Sequence, residues 1–300
     1  MKIHLCILLC FLCACNNTQK NSNTLRLKLL RGPSSIAFAQ LMESQPVIDG
    51  MVLQTEVVDS PELIQAQLIK GEADIAVLPM ISAVNLYNKG VTYPLLGCPL
   101  WGTLYLVGRD SSATMLHLFG SGTSPDILTR YYLDKHKSWQ PKLNYTFGSA
   151  RDIMMGIQTG TVETAVLSEP FVSMALAKDS TLKILADLNR PLPDSPGFAQ
   201  TAVVFSPKLA KFRKEIDKLL AASCKFAVDN PEQAIRIMEE RKVFGKGMLS
   251  KSSIQRCRIN YVPACEAKEA VSSLLKIILQ YEPKAIGGHL PDSTFVVCAD

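Results

Sequence analysis

The stretch "GEADIAVLP", from Gly71 to Pro79, decides the fold, because the chain repeats it as "GTVETAVLS", from Gly160 to Ser168. In each copy a glycine leads through an acidic residue to Ala-Val-Leu, and an apolar segment with helical spacing precedes the glycine. Glycine suits the left-handed backbone that often ends a helix, and the short apolar run suits a buried strand. The sequence therefore predicts the same helix–turn–strand unit twice.

The repeat continues on both sides of these stretches. Ser60 and Ser149 stand at matching positions before the two helices, where each is predicted to be the N-cap. Further back, "TLRLKLLRGPSS" (24–35) matches "ATMLHLFGSGTS" (113–124), and each is an alternating strand that breaks into a turn and a helix start. Strands that alternate with helices are typical of a parallel sheet with crossover helices. The chain is therefore predicted to be an internal duplication.

Composition excludes several classes of protein. The chain has 300 residues, of which 47% are apolar and 20% charged, and its net charge is +5. These values fit a folded globular protein and exclude a disordered chain or one that crosses a membrane many times. The basic residues are scattered and are not interleaved with aromatic residues, so we expect no nucleic-acid partner.

The amino terminus has the pattern of a secretion signal. "MKIHLCILLCFLCAC" carries Lys2, a short apolar run, and then Leu12-Cys13-Ala14-Cys15, which resembles a bacterial lipobox. We expect residues 1–14 to be removed, Cys15 to be acylated, and residues 15–24 to be a flexible tether. An ordinary secretory signal cut nearby is the alternative.

Removal of the signal changes the cysteine count. Five cysteines would remain after acylation of Cys15, namely Cys98, Cys224, Cys257, Cys265 and Cys298. An exported protein can form disulfides, and Cys257 with Cys265 is the most accessible pair by sequence. Cys98 and Cys224 are interpreted as small core residues.

The signal, the lipobox, the two α/β copies and a helical C-terminal third together resemble a type II periplasmic substrate-binding protein of an ABC importer. The pair "DIAVLPMISA" and "AVLSEPFVS" is similar to the subfamily for sulfonates, nitrate, taurine and thiamine-pyrimidine precursors. The resemblance implies two Rossmann-like α/β lobes joined by two crossover segments. It places the crossings near 108–110 and 205–207, so that lobe 1 comprises 25–109 plus 207–300 and lobe 2 comprises 110–206.

That architecture predicts a solute site between the lobes, where the carboxyl ends of the strands meet. Hydroxyl groups at helix starts can hydrogen-bond a polar ligand. The indole of Trp101 can stack on a planar ligand, and the Glu169 carboxylate can accept a hydrogen bond from an amine or ring N–H. The alternatives are plain N-capping by the hydroxyl groups, a core position for Trp101, and a solvated or Arg-paired Glu169. The predicted contacts are Ser34, Ser35, Pro79, Met80, Trp101, Gly102, Ser121, Thr123, Ser124 and Glu169.

No bidentate arginine clamp is evident, which favours a neutral or cationic aromatic solute such as a pyrimidine over a sulfonate. The mature chain has three histidines, and no HExxH, GxSxG or P-loop motif, so we expect no enzyme, cofactor or metal. The resemblance implies a monomer, lipid-anchored in the bacterial cell envelope, that delivers solute to a permease and an ATPase. The alternatives are a membrane-anchored sensing or scavenging module without a permease and, ranked after it, an enzyme on the same fold.

Overall fold

The computed structural model describes residues 23–190 and 197–298. The predicted signal peptide, Cys15 and most of the tether lie outside the described residues. No helix within these two ranges is both long and apolar enough to cross a membrane.

The described residues form two separate β-sheets with helices on their faces. In chain order the strands are β1 (Thr24–Leu30), β2 (Val47–Ile48), β3 (Met51–Val58), β4 (Ile75–Pro79), β5 (Leu95–Leu100), β6 (Leu104–Gly108), β7 (Met115–His117), β8 (Lys142–Asn144), β9 (Thr164–Ser168), β10 (Lys183–Asp187), β11 (Thr201–Phe205) and β12 (Ile259–Pro263). Sheet 1 has the order β12-β5-β11-β4-β1-β3-β2, and sheet 2 has the order β10-β6-β9-β7-β8. Each sheet is the centre of one lobe, which confirms the predicted two-lobe α/β fold.

The helices lie between and after these strands. They are α1 (Pro33–Ile36), α2 (Ala39–Ser44), α3 (Pro61–Ile69), α4 (Met80–Asn88), α5 (Ser124–Lys135), α6 (Ala150–Gln158), α7 (Phe171–Lys178), α8 (Arg213–Asp229), α9 (Pro231–Glu240), α10 (Lys251–Arg256) and α11 (Lys268–Tyr281), with 3₁₀ turns at Pro207–Phe212 and Pro283–Ile286. Helices α8 to α11 form the helical C-terminal third and pack mainly on sheet 1.

Three apolar clusters cover the sheet faces. One cluster packs α1, α2, α8 and α9 on one face of sheet 1, and another packs α6 and α7 on one face of sheet 2. The third covers the remaining face of both sheets and continues from α3, α4 and α11 in lobe 1 to α5 in lobe 2. The two lobes therefore share one continuous core along the α5–α11 contact.

The crossings between the lobes lie elsewhere than predicted. Strand β6 pairs antiparallel with β9 in sheet 2, and β11 pairs antiparallel with β4 in sheet 1. The chain therefore crosses at 101–103 and again between Asp187 and Thr201, so the predicted crossings near 108–110 and 205–207 are wrong. Lobe 1 is built from 24–100 and 201–298, and lobe 2 from 104–187. An apolar strand pattern reports burial, but it does not report which sheet the strand joins.

The two crossing strands occupy equivalent places. Leu104 lies opposite Ser168 in sheet 2, and Thr201 lies opposite Pro79 in sheet 1, at the matching positions of the two copies. Each copy thus contributes its last strand to the sheet of the other. The sheets are mixed, with parallel pairs such as β1–β4 and β7–β9, where an all-parallel sheet was predicted.

The disulfide also differs from the prediction. Cys265 bonds to Cys298, whereas Cys257 is a free, fully buried thiol at the end of α10. The C-terminal segment returns alongside β5, where Val296 bridges to Leu95, and this brings its last cysteine to Cys265. The predicted buried positions of the cysteines in β5 and α8 are confirmed.

Candidate functional site

The two crossing segments form a hinge that is fastened by Asn189. The side chain of Asn189 is fully buried, and its Oδ1 accepts hydrogen bonds from Thr103 N and Leu104 N, each at 2.8 Å, and from Gln200 Nε2 at 3.0 Å. Its Nδ2 donates to Leu104 O at 2.8 Å and to Asp187 Oδ1 at 2.6 Å. One amide therefore joins the outgoing and the returning segment.

The carboxyl ends of the repeated strands meet at this hinge. Met80 follows β4 and donates its N–H to Gln200 O at 2.9 Å, and Glu169 follows β9 and donates its N–H to Thr103 O at 3.0 Å. Both acceptors lie on the crossing segments. The strand ends of the two lobes thus face the same junction, as the sequence predicted for a solute site between two α/β sheets.

A cavity of about 610 Å³ opens beside the hinge. This volume lies in the range of small-molecule sites. Hinge segments, the start of β12 and the first turns of α11 enclose it, and its lining residues are Trp101, Arg190, Gly197, Phe198, Arg258, Ile259, Asn260, Val262, Glu266, Glu269, Ala270 and Ser273.

Trp101 is held rigidly in the cavity wall. Its indole Nε1 donates to Asn260 O at 2.7 Å, its backbone N–H donates to Arg258 O at 3.3 Å, and it is 4% exposed. Gly197 packs so tightly here that a Cβ would lie 2.4 Å from Trp101 O. Both the predicted ligand wall and the alternative core role fit this position, since the ring is buried and also borders the cavity.

The charges around the cavity have both signs. Arg258 pairs with Asp187 across the lobes, and its Nη1 is buried without a hydrogen-bond partner among the described residues. Glu266 and Glu269 are exposed at the cavity rim. The carboxylates disfavour a bare anion and the Arg258 guanidinium favours an acceptor, so a polar solute that carries both donor and acceptor groups is compatible with the mixture.

Glu169 is the one carboxylate among the ten predicted contacts, and its surroundings shift its pKa strongly. It is 1% exposed, its Oε1 accepts from Ser173 Oγ at 3.0 Å, and Arg256 Nη1 lies 3.4 Å away. Burial raises the pKa of Glu169 to about 7, against the lowering effects of Ser173 and Arg256. The carboxylate faces lobe 1 and not an open crevice, so the Arg-paired alternative describes its surroundings.

The predicted serines of lobe 1 bond to their own strand. Ser34 Oγ and Ser35 Oγ donate to Leu30 O at 3.1 and 2.6 Å, and both residues are buried. Pro79 is the half-buried N-cap of α4, and Met80 is fully buried. None of these four residues lines the hinge cavity.

The predicted residues of lobe 2 are mostly at the surface. Ser121 and Thr123 are exposed, Thr123 Oγ1 donates to Gly120 O at 2.5 Å, and Ser124 begins α5. Gly102 is buried in the hinge, where a Cβ would lie 2.6 Å from Asn189 Cβ. Of the ten predicted contacts only Trp101 lines the hinge cavity, and the others remain predictions about a solute site.

Sequence reasoning did not find Asn189, Phe198 or Arg258. The first two are the end residues of "NRPLPDSPGF" (189–198), a segment of the second copy that has no counterpart in the first, and that interruption of the repeat was a usable signal of a special segment. Arg258 follows a short helix in a part of the chain that has no counterpart in the duplication, so the sequence carried no signal for it.

The two-lobed α/β fold matches that of solved binding proteins of low sequence identity. The aliphatic sulphonate binding protein SsuA from Escherichia coli has a TM-score of 0.65 at 14% identity, over 91% of this chain and 90% of that one. A putative nitrate transport protein from Thermoplasma volcanium has a TM-score of 0.53 at 10% identity, over 87% and 94%. These likenesses define the fold class.

The family is given by a nearer relative. An ABC transporter protein from Parabacteroides distasonis shares 51% identity over 93% of this chain and 100% of its own, with a TM-score of 0.90. The chain therefore belongs to the same family as that ABC transporter protein. No family model matches the chain, and no curated protein matches it.

Proposed function

We propose that this protein is the monomeric solute-binding component of an ABC-type importer and that it captures a small polar or aromatic molecule between its two lobes. The observation that carries the proposal is the 610 Å³ cavity beside the junction of the two sheets, which is lined by residues of lobe 1 and of the crossing segments. Family membership with an ABC transporter protein supports the transport role and, with it, permease and ATPase partners. No catalytic step is needed for this role.

The chemistry of the cavity supports a class of solute. Trp101 and Phe198 offer aromatic surface, and Asn260 and Ser273 offer polar groups beside the charged residues. A ring or short apolar segment that carries hydrogen-bonding groups satisfies both kinds of wall, whereas a bare anion such as nitrate meets the carboxylates at the rim. Pyrimidines and amine-bearing sulfonates fit this description better than inorganic anions do.

Location outside the cytoplasm is part of the proposal. The Cys265–Cys298 disulfide is typical of proteins that fold in an oxidising compartment. The lipobox pattern supports a lipid anchor at Cys15, and two or more acyl chains are enough for stable membrane attachment. A Cys15→Ala protein is expected to leave the membrane fraction when expressed in a bacterium, and full retention there would refute the anchor.

Solute binding can be tested by thermal unfolding of the chain from residue 23 onward, which contains every described element. The panel consists of pyrimidines, taurine and other sulfonates, nitrate and amino acids at millimolar concentration. A bound solute raises the unfolding temperature in proportion to its mass-action stabilisation. The absence of any shift across the panel and across a wider metabolite mixture would argue against a solute-binding role.

The chain provides a matched pair of variants for the cavity. Trp101 and Trp139 are the two tryptophans, and Trp139 lies in lobe 2, where its Nε1 donates to Ala113 O at 2.9 Å. Trp101→Phe is expected to weaken binding of the identified solute at least tenfold, and Trp139→Phe to leave it unchanged. The second variant also leaves Trp101 as the sole tryptophan, so its fluorescence should respond to that solute. Equal affinities for the two variants would remove Trp101 from the site.

A further inference from the structure

The two copies of the duplication differ at two buried positions near the junction of the lobes. Glu169 and Ser173 in lobe 2 occupy the places that Met80 and Val84 occupy in lobe 1, 89 residues earlier. All four residues are buried, and the backbone hydrogen bonds of Met80 and Glu169 to the crossing segments are equivalent. A polar pair in lobe 2 therefore stands where lobe 1 has an apolar pair.

The polar pair contacts an arginine side chain of the other lobe. Arg256, at the end of α10 in lobe 1, donates from Nη1 to Ser173 Oγ at 2.8 Å and lies 3.4 Å from Glu169 Oε1. Ser173 in turn donates from Oγ to Glu169 Oε1 at 3.0 Å, and its N–H donates to Oε2 at 3.3 Å. The cluster is thus completed only when α10 lies against α7.

Two further contacts on the same flank join the lobes. Tyr105 OH, from β6 in lobe 2, donates to Arg256 O at 2.8 Å, and Arg258 pairs with Asp187. This α7–α10 flank is polar, whereas the α5–α11 flank belongs to the shared apolar core. Parting the shared core would expose far more apolar surface than parting the polar flank. We therefore expect a hinge motion to keep the α5–α11 contact and to separate α7 from α10.

We propose that Glu169, Ser173 and Arg256 form an interlobe latch that holds lobe 2 against lobe 1 around the solute, and that closing the latch takes up a proton. The inference rests on the proposed function for the identity of what is enclosed. Arg256 and Glu169 are positioning residues, since the described hinge cavity is lined by neither of them.

The proton linkage follows from the burial of the carboxylate. In the latched arrangement the pKa of Glu169 is raised to about 7 by burial, and separation of the lobes would rehydrate it and return it towards its ordinary value of 4.5. The latched form therefore binds more protons between these values, so latching is strongest below pH 4.5 and weakens as the pH rises through 7.

The other titratable groups facing the latch do not titrate in that window. Burial raises the pKa of the Cys257 thiol and of the Tyr105 hydroxyl, in each case above an ordinary value that already exceeds 8. Within the described residues Glu169 is thus the group of this cluster that changes charge between pH 5 and 8.

The test measures the distance between α7 and α10 in the absence of solute. Spin labels are attached to Ala177→Cys and Gln255→Cys, two exposed positions, in the chain from residue 23 onward. The free cysteines of that chain, Cys98, Cys224 and Cys257, are buried and therefore protected from labelling. Between pH 5 and 8 the ratio of latched to separated molecules is expected to fall roughly 10- to 100-fold, given the two pKa values.

Glu169→Gln supplies the decisive comparison, because the amide keeps the shape of the side chain and cannot titrate. In this variant the distance distribution is expected not to change with pH, whereas Glu163→Gln, at an exposed position just before β9, should behave as the wild type. A wild-type distribution that is constant from pH 5 to 8, or an equal pH response in Glu169→Gln, overturns the latch.

The experiments distinguish failure of the latch from failure of the proposed solute-binding function. A solute that stabilises the protein while the distances ignore pH leaves the binding function intact and removes the latch. A pH-dependent distance that depends on Glu169, with no stabilising solute in the panel, retains the latch and removes the proposed function.

Discussion

The hinge amide gives the sharpest stability prediction. Asn189→Ala removes five hydrogen bonds and leaves the N–H groups of Thr103 and Leu104 buried without their acceptor. Each buried donor that loses its partner costs about 1–3 kcal/mol, so we expect a loss of about 3–5 kcal/mol in the free energy of unfolding. In a protein of this size the unfolding temperature should fall by roughly 10 °C.

The assay is thermal unfolding followed by circular dichroism, with Asn230→Ala as the control. Asn230 is exposed, and its Nδ2 makes one hydrogen bond, of 3.3 Å, to Phe226 O, so its replacement should cost less than about 1 kcal/mol. If Asn189→Ala unfolds within a degree or two of that control, the view that one amide fastens the two crossing segments is refuted.

Two further predictions concern the closure of the C-terminal segment and the packing of the hinge. Replacing Cys265 and Cys298 with alanine should lower the free energy of unfolding by about 3–4 kcal/mol, because the disulfide closes a loop with a sequence separation of 33. An unfolding temperature of the wild type that is the same with and without reductant would contradict this. Gly197→Ala should destabilise the hinge, since its φ is 116° and the new Cβ would meet Trp101 O at 2.4 Å. Gly160→Ala, with positive φ but open space, should lose only about 1 kcal/mol in the same unfolding assay.

Features that depend on near neighbours in the chain were predictable. Ser60 Oγ and Ser149 Oγ accept hydrogen bonds from the backbone three residues on, at 3.3 and 3.2 Å, as the N-cap pattern predicted. Gly71 and Gly160 end their helices with positive φ, of 65° and 74°. These are confirmed because capping and helix termination are decided within a few residues.

Features that depend on distant partners were not predictable. The Glu169 side chain meets Arg256, which lies 87 residues away, and no property of the phrase "LSEP" indicates that cation. The predicted cysteine pair failed for a related reason, because proximity in sequence was used in place of the path of the last segment. The repeat predicted where strands lie, but not that β6 and β11 would exchange lobes.

The exchange of strands between the lobes has a consequence for the order in which the protein can fold. Strand β5, formed by Leu95–Leu100, pairs with β11 and β12, and both of these arrive more than a hundred residues later. The amino-terminal third can therefore fold only into a sheet with its middle missing, and lobe 1 is finished when nearly the whole polypeptide has emerged.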